Sequence, residues 1–121
     1  MKKLVNKNKL KQAIYAELKQ LLQQGKDMAD MRALADRRPT GIEDAEYYAK
    51  LRDAGQHMRN LQEKILRCQR QARELKCVSL HAAAVEILHV CSLHGLANTY
   101  IQPAQDALDK FKAEAEEHGN M

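Results

Sequence analysis

Apolar residues recur at helical spacing in the first part of the chain, where Leu10, Ala13, Ile14, Leu18, Leu21 and Leu22 share one side of a helix. Gly25 follows, the residue that most easily takes the left-handed conformation ending a helix, so the pattern predicts a first helix from about Asn8 to Gln24. Asp27 can cap a second, short helix with Met28, Met31, Leu34 and Ala35 as its apolar face, and Arg37-Arg38-Pro39 stops it.

Thr40-Gly41-Ile42-Glu43 has the form of a capping box, in which hydroxyl and carboxylate each satisfy a free backbone N–H. A long helix is expected after it. One register fits a heptad, with Leu51, Met58, Ile65 and Ala72 at one seam position and Tyr47, Ala54, Leu61, Cys68 and Leu75 at the other. The flanking positions carry no opposite charges that would specify parallel self-pairing, so antiparallel packing in a bundle is expected.

From Cys77 to Tyr100 the pattern changes, because Leu80, Ala82, Ala83, Ala84, Val85, Ile87, Leu88, Val90, Cys91, Leu93, Leu96 and Ala97 leave almost no polar face. A helix apolar nearly all round belongs at the centre of an assembly, and in so short a chain its burial is expected to call on a second copy. Pro103 suits the first turn of a last helix, with Ala104, Ala107, Leu108, Phe111 and Ala115 as its apolar stripe. The elements predict an all-α fold: a helical bundle with one long heptad-patterned helix, a buried apolar helix and shorter flanking helices. Residues 1–121 form one domain in this reading, with 1–7 and 116–121 as flexible ends.

Composition narrows the class. Hydrophobic residues make up 45% and charged residues 30% of the 121, with two prolines and five glycines, the balance of a folded helical chain. With one phenylalanine and four tyrosines, the aromatic platforms on which single-strand binders stack bases are scarce. No apolar run is long enough to span a bilayer, and no apolar signal segment follows the basic start. The three cysteines, Cys68, Cys77 and Cys91, are an odd number and read as reduced thiols, so a cytoplasmic location without membrane association is expected.

Charge is distributed in blocks. Lys and Arg against Asp and Glu number ten to four over residues 1–38, none to three over 39–49, eight to three over 50–76 and two to six over 77–121, giving +6, −3, +5 and −4. Within the third block Arg52, Arg59, Arg67, Arg70 and Arg73 fall on the side of the long helix away from its seam, flanked by Lys50, Lys64 and Lys76. Arginines in such a row suit bidentate contacts to carboxylate or phosphate. Asp53, Glu63 and Glu74 interrupt the row, as they would on a solvated face.

Other motifs carry less. Cys77-x-x-x-His81 and Cys91-x-x-His94 are each ligand-like pairs, but the fourteen residues between them span about 21 Å of continuous helix, beyond the reach of one zinc ion. Glu86-Ile87-Leu88-His89 has the form of one ligand element of a di-iron bundle, present in a single copy. A helix-turn-helix reading of Asp27 to Leu51 would drive Glu43, Asp44 and Glu46 toward phosphates that repel them. There is no glycine-flanked serine elbow and no glycine-rich phosphate loop.

The expectation is a non-enzymatic interaction or regulatory module without a cofactor or metal, forming a homo-oligomer and binding a protein partner through the arginine row. A nucleic-acid-binding accessory protein using that row with Lys2, Lys3, Lys7, Lys9 and Lys11 is the alternative, and a metal-dependent helical-bundle enzyme built on His81, Glu86, His89 and Cys91 a distant one.

Overall fold

The computed structural model describes residues 2–36, 45–93 and 96–117. It is an all-α helical bundle: α1 (Lys2–Lys26), α2 (Ala29–Asp36), α3 (Ala45–Glu74), α4 (Val78–Val90), a short 3₁₀ turn (Ala97–Tyr100) and α5 (Ile101–Glu117). Among the described residues there is no strand. The capping box Thr40-Gly41-Ile42-Glu43, the Arg37-Arg38-Pro39 stop and His94 lie outside the described residues.

α4 is the hub. It packs against α1, α3 and α5, and its Leu80, Ala83, Ala84, Ile87 and Val90 are fully buried. Small alanine side chains let three neighbours approach one short helix, so a single chain covers most of it without a second copy. Cys91 meets Leu21 near one end, while Asn8 and Gln12 share a groove with Cys77 and Val78 at the other, so α1 runs parallel to α4. Gln62 reaches Cys91, and Gln69 reaches His81, so α3 runs antiparallel to it.

The second half of the α3 seam faces this core, with Leu61, Ile65, Cys68 and Ala72 buried in it and Met58 and Leu75 packed against it, while Tyr47 and Ala54 are buried and Leu51 half-buried outside it. α3 has 30 residues and α4 only 13, so the first half of α3 extends past the end of α4, where α2 packs on it. On the opposite flank Tyr15 of α1 meets Phe111 of α5, ring centroids 5.4 Å apart.

Boundaries differ from the sequence reading at α1, at the turn from α3 to α4 and at the end of α4, which stops at Val90 although the apolar stretch read as one helix runs to Tyr100. α1 starts at Lys2 and continues through Gly25 to Lys26, so Gly25 does not end it. The glycine instead permits a close crossing: a Cβ there would stand 2.8 Å from Val90 Cγ1 and 2.9 Å from Cys91 Sγ. The second difference is the turn from α3 to α4, made without glycine or proline. Lys76 takes φ 56°, Cys77 N–H donates to Ala72 O at 2.9 Å and Lys76 N–H to Arg73 O at 3.0 Å, the paired bonds of a Schellman motif.

Candidate functional site

All five arginines of the predicted row, Arg52, Arg59, Arg67, Arg70 and Arg73, are exposed on α3, opposite its buried seam. The structure divides them. Arg52 and Arg59 are placed toward the part of α3 that overhangs α4, and Arg59 Nη2 donates to Gln56 Oε1 at 3.1 Å. Arg67, Arg70 and Arg73 lie on the part backed by the bundle, where with Lys64, Leu66, Gln69 and His81 they line an open furrow of about 830 Å³.

The furrow holds four fixed cations against one carboxylate, Glu63. Arg67 shares its charge with Glu17 of α1, Nη2 to Oε1 3.3 Å, while Arg70 and Arg73 have no carboxylate partner among the described residues. The ion pair is exposed at both ends, so it orients Arg67 more than it stabilises the fold. Leu66 stands among these cations 44% exposed, an apolar side chain off the heptad seam. Of the acidic stretch before and at the start of α3, the described residue Glu46 is exposed and pairs with Lys50 at 3.3 Å.

His81 joins the furrow from α4, its ring nitrogen 3.5 Å from Gln69 Nε2. Sequence spacing places it beside Cys77 but carries no sign that it meets α3. The sequence reading did not single out Leu66, whose signal is an apolar residue off the heptad seam.

The Cys/His motifs stay apart. Cys77 and Cys91 flank the continuous α4 at its two ends, and no group of three or more His, Cys, Asp or Glu side chains converges among the described residues. His89 stacks on Tyr100, centroids 4.5 Å apart. Burial pushes the Cys68 thiol up to about 12, with Glu17 adding to the effect, and Cys91 up to about 11, so neither is a nucleophile near neutral pH.

One charged residue escaped the sequence reading. Arg32 of α2 is only 4% exposed, and its Nη1 donates to the carbonyl oxygens of Gly25 at 3.3 Å, Val90 at 3.1 Å and Ser92 at 3.3 Å, while Nη2 donates to Asn98 Oδ1 at 2.9 Å. A buried cation needs compensation, which comes here from the carbonyl ends of α1 and α4 and their dipoles. Its signal in the sequence was register, since Arg32 falls in the stripe of Met28, Met31 and Ala35.

No helix among the described residues is long and apolar enough to cross a membrane. No protein-family model, curated protein or solved structure matches the chain.

Proposed function

We propose that the chain is a non-enzymatic helical module that holds an acidic surface of a protein partner on the exposed face of α3. The observation that carries this reading is the furrow lined by Lys64, Arg67, Arg70 and Arg73, with the exposed Leu66 on the same face of α3 as Arg70 and Arg73. Arginines beside an exposed apolar residue suit a protein interface, where the apolar contact supplies affinity and the charges supply steering and selection. The cytoplasmic setting expected from the reduced thiols accompanies this proposal.

A nucleic-acid reading draws on the same cations, which follow one another over about 14 Å of helix and could neutralise successive phosphates. The scarcity of aromatic residues argues against base stacking. Fluorescence anisotropy with a glutamate-rich peptide and with single-stranded RNA, each at low and high salt, separates the two. Peptide binding that disappears when Arg67, Arg70 and Arg73 are changed together to Glu supports the proposal. Tighter RNA binding with a steep log-linear salt dependence puts the nucleic-acid reading in its place.

Homo-oligomerisation keeps a narrower basis than the sequence suggested, because α4 finds its cover within the chain. One feature that could draw copies together is the charge contrast between the α3 face and the exposed Asp106, Asp109, Glu116 and Glu117 of α5. Light scattering would show such association weakening as salt rises.

A further inference from the structure

We infer that the binding site continues past the end of α3 and around the α3–α4 turn, and that its ligand is an extended acidic peptide segment carrying an aliphatic side chain that seats at Val78. The inference rests on the proposal that the α3 face binds an acidic protein surface. It adds Lys76 and Val78 to the site and specifies what the ligand carries there.

The furrow along α3 shares Gln69, Arg73 and His81 with a second groove of about 520 Å³, lined also by Ala72, Lys76, Cys77 and Val78. That second groove contains cations and no carboxylate. Its apolar floor and cationic rim match a ligand with negative charge around an apolar anchor.

Three consecutive residues at this bend go against local preference. Lys76 occupies the left-handed conformation that glycine takes most easily. Cys77 stands at the helix N-cap but makes no side-chain capping bond, where Ser, Thr, Asp or Asn would. Val78 opens α4 with 79% of its surface exposed and contributes almost nothing to the core. Neither stability nor solubility accounts for an exposed valine beside an uncapped helix start, and such local conflicts concentrate where a surface serves binding.

The path of the groove selects an extended ligand. From Lys64 to Lys76 the site follows α3 for about 18 Å and then bends with the turn toward Val78. A straight helix could follow the first part but not the bend. About six extended residues cover that distance, so about eight suffice for the whole site.

The test uses glutamate-rich peptides of about eight residues with one leucine near either end, and the same peptides with serine in its place, titrated by anisotropy against the full chain. The better leucine peptide is expected to bind at least about fivefold more tightly than its serine counterpart. That preference should vanish in Val78→Ser and persist in Val78→Thr, both tolerated at an exposed first-turn position. Lys76→Gln should weaken leucine and serine peptides alike.

Absence of a leucine preference, or its survival in Val78→Ser, overturns the inference. The α3 reading still stands in that case if the serine peptides bind and Arg67→Glu, Arg70→Glu and Arg73→Glu together remove them. If no peptide binds, the inference and the reading beneath it both fall.

Discussion

Arg32 Nη1 donates to the carbonyl oxygen of Val90, the last residue of α4, at 3.1 Å, joining residues 58 positions apart. The same group reaches Gly25 and Ser92, so one guanidinium collects carbonyls from the ends of two parallel helices that would otherwise repel each other. Arg32→Leu keeps much of the volume but removes the donor from these carbonyls, of which Gly25 O keeps its bond from Met28 N–H at 3.2 Å. It is expected to destabilise the fold by about 3 kcal/mol, read from urea unfolding. Arg32→Lys should recover only part of the loss, because a single ammonium cannot reproduce the planar fork. A loss below about 1 kcal/mol for Arg32→Leu would mean that water satisfies these carbonyls.

Gly25 sits at the tightest approach of α1 to α4. Gly25→Ala gains about 1 kcal/mol of helix propensity but places a methyl group against Val90 and Cys91. Val90 is β-branched and stiff, and the Cys91 thiol is held by its bond to Leu21 O at 3.5 Å, so neither yields easily. A net destabilisation of about 1–2 kcal/mol is expected. The double variant with Val90→Ala should lose less than the two single losses added, a coupling that a double-mutant cycle measures.

These two residues mark where sequence reading ends. The heptad seam was legible because burial along a helix repeats with the helix, and every seam position from Tyr47 to Leu75 is buried or half-buried. The centrality of α4 followed from its unbroken apolar surface. Its coverage within one chain did not follow, because it depends on how closely helices approach across Ala83 and Ala84. Gly25 reads as a helix end in isolation; only the arrival of Val90 gives it another role. The row of five arginines was visible on the helical wheel, but its division needed the length mismatch between α3 and α4. His81 lines the furrow, and Val78 the groove beside it, through a packing of α3 against α4 that spacing along the chain does not encode.

Lys76 offers a test of strain at the bend. Its φ of 56° costs a non-glycine residue about 1 kcal/mol, relieved in Lys76→Gly and partly offset by the greater freedom of glycine in the unfolded chain. A gain of about 0.5 kcal/mol is expected in thermal or urea unfolding. A loss would show that the lysine side chain contributes contacts worth more than the strain it bears.

The buried thiols set the alkaline limit of stability. Folding raises Cys68 from 9.0 to about 12 and Cys91 from 9.0 to about 11, in both cases chiefly because burial disfavours the thiolate. Well below pH 9 both thiols are protonated whether the chain is folded or not, and their contribution does not change. Above it the unfolded chain releases two protons that the folded chain retains, so unfolding is favoured and stability falls as pH rises toward 11 and then 12. The urea midpoint should therefore drop between pH 8.5 and 10.5, and Cys68→Ala with Cys91→Ala should flatten that drop while lowering stability at neutral pH by opening small cavities. Cys77, half-buried and lining the groove at the turn, should meanwhile be the first thiol to react with iodoacetamide in the folded protein. Equal labelling of all three thiols under native conditions would show that the bundle opens around both buried thiols on the timescale of the reaction.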